Sequence, residues 1–281
     1  MTMNSDRDSE SFIRSFARGL SVIEAMGRNC EMHTVASVSA LTLLPRTVVR
    51  RILMTLTELG YCMTDGRSFR LTPKVLSLGM TYLTSLPFWG LAQHALESLG
   101  SQMQASVALS VFDGEYSIYV LRVPSREVMS LQLGVGSKVP AYATSPGRVL
   151  LAWLDDEALS NYFKQAKLRA LTAKTVTDEV TLRKSLDRVR EVGYAWVDGE
   201  FSESVCGLSV PVRDATGLAV AALSVNLLSG DMKENRAVRE LLRPLRTTSE
   251  QLRGMAPQFL SVAGQTARSS APIRDGETSS A

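Results

Sequence analysis

Residues 43–71 read LLPRTVVRRILMTLTELGYCMTDGRSFRL, and this stretch decides the fold of the N-terminal part of the chain. Apolar residues recur at helical spacing over its first half, which predicts a helix. Pro45 suits the first position of this helix, and Gly60 is suited to ending it. Two short apolar runs follow on either side of Asp65-Gly66, which is a strong signal for a hairpin turn. A helix followed at once by a hairpin predicts a winged helix. The helical side chains predicted to face its core are Ile52, Leu53, Leu56 and Leu59.

Two shorter helices are predicted upstream, and together with this stretch they form a winged helix-turn-helix domain over residues 12–72. The first helix covers residues 16–26. The second, Thr34–Leu41, begins at a threonine suited to capping a helix N-terminus. Residues 1–11 are polar and are predicted to be disordered. The side chains predicted to share the core-facing side of the first helix are Phe16, Leu20, Ile23 and Met26.

A linker helix is predicted after the wing, over residues 73–87. Thr72-Pro73 opens this helix, and Pro87 closes it and marks the approximate domain boundary. Its apolar stripe is suited to pairing two copies of the chain. The residues of the stripe are Val75, Leu78, Gly79, Tyr82 and Leu83.

The pattern changes to mixed α and β over residues 88–256. The predicted strands are 106–112, 116–123, 128–133, 194–197, 207–213 and 218–228. The predicted helices are 91–104, 146–154, 156–165, 180–192 and 231–255. One mostly antiparallel sheet with helices on its faces is the economical arrangement, so the predicted fold class is α+β. Residues 257–281 are rich in Ser, Thr, Gly and Arg and are predicted to be disordered.

The composition excludes several classes of protein. Among the 281 residues, no apolar run approaches the roughly 20 residues that span a bilayer. The N-terminus lacks the layout of a signal peptide, so a cytoplasmic protein without a membrane partner is expected. Three scattered cysteines and two histidines provide neither a disulfide framework nor a zinc site, and no metal or cofactor is expected. The net charge is +3, and residues 1–80 hold this surplus, with ten Lys and Arg against seven Asp and Glu.

Basic residues cluster at the front of the predicted winged helix. The first turns of such a helix meet the bases of the major groove, where arginine can form paired hydrogen bonds with guanine. The residues predicted to contact DNA are Arg46, Thr47, Arg50 and Arg51 in the helix, Arg67, Ser68 and Arg70 in the wing, and Lys74 in the linker helix. The alternative is a solvated helix face. Combined with the preceding helix and the wing, this set predicts binding to a double-stranded DNA operator.

A second site is predicted where Ser145-Pro146-Gly147-Arg148 opens a helix. Free N–H groups at a helix N-terminus attract anions, Ser145 offers a hydroxyl, and Gly147 lets a ligand come close. This arrangement suits the carboxylate of a small organic acid, and the alternative is a simple helix cap. Arg122 and Arg126 flank a strand end and could pair with an acid, although surface arginines are the simpler interpretation.

Segments in both regions resemble the IclR family of bacterial transcription regulators, and the resemblance covers residues 16–252. The segments are RGLSVIEAM (18–26), RTVVRRILMTLTELGY (46–61), FRLTPKVLSLG (69–79), LGVGSKVPAYATSPGRVLLAWL (133–154), EVGYAWVD (191–198) and LSVPVRDATGLAVAALSV (208–225). FRLTPKVLSLGMTYLTSLPFW and VPAYATSPGRVLLA are most similar to the branch that regulates aromatic-acid degradation through the β-ketoadipate pathway. The chain departs from the family at Leu43, where glycine is common, and at Pro45, where serine usually caps the recognition helix.

The resemblance implies a GAF-like effector-binding domain over residues 88–256 and a ligand-responsive regulator of a catabolic operon, acting as a homodimer or a tetramer. Its effector would be a small aromatic or organic acid. The family's pocket residues fall here on Leu131, Ser145, Pro146, Val197 or Asp198, Val205, Gly207, Ser224 and Asn226. No hydrolase, zinc-protease or P-loop motif occurs, so no enzyme activity is expected. The alternative is a small-molecule-binding enzyme or carrier that uses the winged helix for protein contacts.

Overall fold

A computed structural model of the chain describes residues 12–27, 32–84, 89–125, 133–214, 216–230 and 232–253. The chain divides into two compact units, Met1–Ser85 and Leu86–Ala281. The predicted features that lie outside the described residues include the two disordered ends, the boundary residue Pro87, the candidate Arg126 and almost all of the strand 128–133. Within the described ranges, no helix is both long and apolar enough to cross a membrane.

The first unit contains three helices and a small sheet, followed by a further helix. The helices are α1 (Arg14–Met26), α2 (Val35–Thr42), α3 (Arg46–Glu58) and α4 (Leu76–Thr84). The strands are β1 (His33–Thr34), β2 (Cys62–Thr64) and β3 (Ser68–Leu71), which form an antiparallel sheet in the order β1-β3-β2. A 3₁₀ turn, Pro73–Val75, precedes α4. The winged helix predicted from residues 43–71 is therefore confirmed, and the linker helix begins as this turn.

The core of the first unit departs from the helical faces predicted for α1 and α3. The predicted core residues Phe16 and Leu20 are exposed, because α1 packs through its C-terminal half, where Val22 and Met26 are buried. Leu59, also predicted to be buried, is 53% exposed because it lies at the C-cap, beyond the last turn of α3. The α3 residues that fill the core are Val49, Leu53 and Leu56, with Ile52 half-buried.

The turn between α2 and α3 has an unusual backbone conformation. Leu43 has φ +58°, in the left-handed region that costs a residue with a Cβ about 1–2 kcal/mol. The neighbouring Leu44 is buried, and its carbonyl accepts a hydrogen bond from the Ser39 hydroxyl at 2.7 Å. The turn is thus held by its neighbours, and the side chain of Leu43 is 83% exposed.

The second unit is an antiparallel sheet covered by helices on both faces. Its strands are β4 (Ser106–Asp113), β5 (Tyr116–Val123), β6 (Lys138–Pro140), β7 (Ala195–Asp198), β8 (Val205–Arg213) and β9 (Ala219–Leu228). Its helices are α5 (Trp89–Met103), α6 (Ser145–Ala152), α7 (Asp156–Gln165), α8 (Glu179–Val192) and α9 (Glu234–Arg253). Among the described strands the order is β6-β5-β4-β9-β8-β7. The α+β architecture is confirmed. The edge strand β6 was not predicted, because it has only three residues and ends in a proline.

Helix α6 positions the second candidate site. All eight of its residues are buried, and Val149 and Leu150 pack with the sheet residues Phe112 and Ala222. Gly147 permits this close packing, since a Cβ there would lie 2.3 Å from the Cα of Ala141. On the other face of the sheet, α5 and α9 form a separate core. This packing places the N-terminus of α6 over one end of the sheet.

Candidate functional site

The exposed face of α3 carries the predicted base-reading residues. Arg46, Thr47, Arg50 and Arg51 are all exposed. The intervening Val49 is fully buried, so the arginines are fixed on the outward side of a helix that the core holds in place. Pro45 caps α3 without a side-chain hydrogen bond, which leaves the first N–H groups of the helix available to a phosphate.

The wing presents two further exposed arginines on an ordered hairpin. The Asp65 carboxylate accepts hydrogen bonds from the N–H groups of Arg67 at 2.8 Å and Ser68 at 2.7 Å, and these bonds lower the pKa of Asp65. Arg67 and Arg70 are exposed, whereas Ser68 is half-buried. The Nε of Arg70 contacts the Met63 sulfur at 3.0 Å. The wing can therefore offer positive charge to the phosphates beside the groove.

Lys74 has a different environment from the other predicted DNA-binding residues. Its ammonium donates a hydrogen bond to the Leu59 carbonyl at 2.7 Å and lies 4.9 Å from the centroid of the Tyr61 ring. Because α3 is about 20 Å long, this places Lys74 at the far end of the helix from Arg46. A cation at a helix C-terminus is favourable. Lys74 thus fastens the end of α3 to the start of the linker helix.

A cavity lies at the N-terminus of α6, over the sheet. Its lining residues are Tyr119, Arg122, Leu133, Ala143, Thr144, Ser145, Pro146, Val197, Phe201, Val205, Cys206, Gly207 and Asn226. The cavity measures about 40 Å³, and by the same measure one water needs roughly 10–15 Å³. In this state there is room for about three water molecules, so a ring-sized ligand has to displace parts of the wall.

Ser145 and Gly207 meet across the cavity. The hydroxyl of Ser209 donates to the Ser145 hydroxyl at 2.8 Å, which leaves the Ser145 proton available for a ligand oxygen. A Cβ on Gly207 would lie 2.7 Å from the Ser145 Oγ and 3.2 Å from the Asn226 Oδ1. The missing side chain of Gly207 therefore brings these two polar groups together. Ser209 was not predicted, although it lies on the same strand face as Gly207, two residues on.

Arg122 contributes the positive charge of the cavity. The side chain is half-buried; its Nε donates to the Ser106 hydroxyl at 3.3 Å, and its Nη1 donates to the Leu133 carbonyl. Its guanidinium lies 6.0 Å from the centroid of the Tyr119 ring, and burial raises the pKa of that phenol, which stays neutral. In the described part of the chain, no carboxylate lies within ion-pair distance of Arg122. Arg122 therefore lines the cavity, where it could pair with an acid.

Some predicted pocket residues do not line the cavity. Alternation along β7 puts Val197 on the lining, whereas Asp198 accepts a hydrogen bond from the Ser229 hydroxyl at 2.6 Å on the other face. Ser224 is fully buried, and its hydroxyl donates to the Ala108 carbonyl at 3.3 Å. Gly147 serves helix packing, and not the ligand approach that was predicted. Leu131 lies outside the described residues. Of the other predicted residues, Ser145, Pro146, Val205, Gly207 and Asn226 line the cavity.

A buried ion pair anchors the wall of the cavity. Arg148, from α6, donates to the Glu200 carboxylate at 2.6 Å, and both residues are more than nine-tenths buried. Burial lowers the pKa of Arg148, and the carboxylate beside it opposes that shift. Arg148 also donates to the Tyr142 carbonyl at 3.0 Å, while Glu200 accepts a hydrogen bond from the Val176 N–H at 3.1 Å. Three segments distant in sequence are thereby joined beside Phe201.

Gly207→Ala is expected to weaken ligand binding by about tenfold or more, because the new methyl group displaces the Ser145 hydroxyl and the Asn226 amide. Isothermal titration with a small aromatic acid measures this effect. Gly134→Ala is the matched control, since a Cβ there meets nothing within 4 Å. Unchanged affinity in Gly207→Ala, or an equal loss in the control, would contradict the assignment of this wall to the ligand.

Comparison with known proteins gives consistent matches over both units. The family model of the IclR helix-turn-helix domain matches residues 15–66, and the model of the bacterial transcriptional regulator IclR C-terminal region matches residues 80–253. The Pca regulon regulatory protein of Pseudomonas putida is 38% identical over 86% of this chain and 83% of its own length.

Solved structures give the same result. A transcriptional regulator from Rhodococcus sp. RHA1 is 36% identical and superposes with a TM-score of 0.75 over 87% of this chain and 98% of its own. A double mutant of the inducer-binding domain of PobR from Acinetobacter, in complex with 3-hydroxybenzoic acid, is 32% identical. That domain superposes with a TM-score of 0.56 over 59% of this chain and 98% of its own length.

Proposed function

The chain belongs to the IclR family of bacterial transcriptional regulators, and on this premise we propose that it senses an aromatic acid and controls the operon that degrades it. Its relatives are named as regulatory proteins and transcriptional activators, so the alternative of an enzyme or carrier is not supported. The observation that carries the proposed effector class is Arg122, a cation without a carboxylate partner among the described residues, in a cavity shared with Ser145 and Asn226.

The chemistry of the cavity fits a hydroxylated benzoate. A guanidinium pairs with a carboxylate through charge-assisted hydrogen bonds. The apolar walls of Val197 and Phe201 suit an aromatic ring, and Ser145 or Asn226 can bind a ring hydroxyl. The similar inducer-binding domain of PobR, solved with 3-hydroxybenzoic acid, supports the same class of ligand.

The small volume of the cavity supports a role for ligand binding in switching. An aromatic acid has to move the walls, which include the N-terminus of α6 and Phe201. The ligand then favours whichever arrangement has the wider cavity, and this differential affinity is what shifts a conformational equilibrium. In a dimer, such a shift would change the arrangement of the two DNA-binding heads on their operator.

Exposed apolar residues on the first unit support a homodimer, with a tetramer as a larger assembly. On α1 and just before it, Phe12, Phe16 and Leu20 recur at intervals of four and are each at least 44% exposed. On α4, Leu76, Leu78 and Met80 are each at least 46% exposed. A second copy of the chain would cover this apolar surface. Because a transcriptional regulator acts on DNA inside the cell, we propose a cytoplasmic location.

Arg122→Met is expected to lower the affinity for 4-hydroxybenzoate by about 10- to 100-fold, because the carboxylate loses its charge-assisted partner. Titration calorimetry with 4-hydroxybenzoate and with the neutral 4-hydroxybenzamide tests this. The amide should bind both proteins with similar, weak affinity. The matched control is Arg239→Met, whose side chain is 74% exposed on α9. Failure of the wild-type protein to bind any aromatic acid would contradict the proposed effector class, and equal affinity of wild type and Arg122→Met would exclude Arg122 as the anchor.

A further inference from the structure

Leu43 combines two features that local physical chemistry disfavours. Its backbone is in the left-handed region, which glycine or asparagine occupies more readily. Its side chain, at 83%, is more exposed than any other large apolar side chain in the described part of the chain. A single exposed leucine is ordinary, but strain at the same residue is typical of positions kept for function.

The neighbours of Leu43 hold it in this conformation. Leu44 is buried, and its carbonyl accepts a hydrogen bond from the Ser39 hydroxyl at 2.7 Å. The Thr42 hydroxyl donates to the Val38 carbonyl at 2.7 Å and accepts from the Leu44 N–H at 3.4 Å. The turn is therefore tied on both sides, and the side chain of residue 43 projects outward beside the N-terminus of α3.

The surroundings of Leu43 identify the kind of partner. Arg46, three residues on, begins α3 and is exposed, as is Thr47. Residues 32–57 contain no Asp or Glu, so this edge of the unit suits an anionic partner. The N-terminal residues of a recognition helix reach base edges in the major groove, where the thymine C5 methyl is the apolar group.

We infer that Leu43 contacts a thymine methyl at the edge of the sequence read by α3, and thereby contributes to operator specificity. This inference rests on the role of α3 in DNA binding. A leucine at position 43 can make an apolar contact that a glycine in the same turn cannot make. It also predicts a preference for thymine over cytosine beside the bases contacted by Arg46, since cytosine lacks the methyl group.

The test compares Leu43→Met, Leu43→Asn and Leu43→Gly in the full chain, with Leu59→Asn, 53% exposed at the other end of α3, as the control. The operator is selected from random duplexes with the wild-type protein, and each half-site thymine is then replaced in turn by deoxyuridine, which lacks the methyl group. Leu43→Asn and Leu43→Gly should bind the thymine operator about five- to tenfold more weakly, and one deoxyuridine should weaken the wild type equally. Leu43→Met should bind as the wild type does.

Two further readouts separate contact from folding. Leu43→Gly should raise the melting temperature, because glycine removes the backbone strain, even as it lowers operator affinity. The slope of affinity against salt should not change, because an apolar contact releases no counterions. Full operator affinity in Leu43→Gly would overturn the methyl contact. The same conclusion would follow if Leu43→Asn and Leu43→Gly lost as much affinity, relative to the wild type, on the deoxyuridine duplex as on the thymine duplex. If the wild-type protein selects no sequence at all, the DNA-binding role itself fails and the inference with it.

Discussion

The double variant Arg46→Ala/Arg50→Ala is expected to lose sequence-specific operator binding, with affinity reduced by about 100-fold or more. Each arginine that forms paired hydrogen bonds with guanine contributes about 1–3 kcal/mol of discrimination. Both side chains are exposed on α3, one helical turn apart, so their removal leaves the buried core residues Val49 and Leu53 untouched. Fluorescence anisotropy on the selected operator and on an unrelated duplex measures both kinds of binding.

The controls for this double variant separate base reading from general attraction. Arg239→Ala/Arg243→Ala removes the same charge from exposed positions on α9 and should leave operator affinity within about twofold. Arg67→Ala in the wing should weaken binding to all duplexes alike and lower the salt slope by about one. The base-reading role is wrong if Arg46→Ala/Arg50→Ala loses specific and nonspecific binding in the same proportion.

The arrangement of the basic residues on α3 could be predicted from the sequence more fully than the lining of the cavity, and the reason is the distance along the chain between the contributing residues. Arg46 and Arg50 lie on one helix, so periodicity alone puts them on a common face. The contact between Ser209 and Ser145 joins residues from a strand and a separate helix, and it becomes visible only after the sheet has formed. Local patterns carry no information about such a pairing.

Strand phase explains the difference between Val197 and Asp198. Successive side chains in a strand face opposite sides of the sheet, so a shift of one residue exchanges a lining position for an outward one. The sequence alone did not determine which of the two faces the cavity. In the pairing of β7 with β8, Val197 lies opposite Gly207, and this register places Val197 on the face that lines the cavity.

Arg122 illustrates a different limit of sequence analysis. An arginine at the end of a strand is usually solvated, and nothing local distinguishes this one. Pairing of β5 with β4 brings Arg122 next to Ala108 and within hydrogen-bond distance of Ser106, and the Leu133 carbonyl engages its other nitrogen. Its position in the cavity is therefore a consequence of tertiary structure.

Arg148→Met is expected to destabilise the second unit by about 3–5 kcal/mol, because Glu200 is left as a buried charge without its cation. Both partners are more than nine-tenths buried, so solvent does little to screen the loss. Urea unfolding followed by tryptophan fluorescence measures this unit selectively, since all three tryptophans lie within Leu86–Ala281. Circular dichroism at the α-helical minimum then reports on both units together.

Glu200→Gln provides the matched comparison for this ion pair. The amide oxygen still accepts from Arg148 and from the Val176 N–H, but the uncompensated charge is then the arginine, so a substantial loss is expected here too. The double variant Arg148→Met/Glu200→Gln, with neither charge, should be more stable than the sum of the two single losses predicts. Additive losses would contradict direct coupling between Arg148 and Glu200. Because this pair anchors the segment that carries Phe201, 4-hydroxybenzoate affinity should fall in both single variants and recover in part in the double variant.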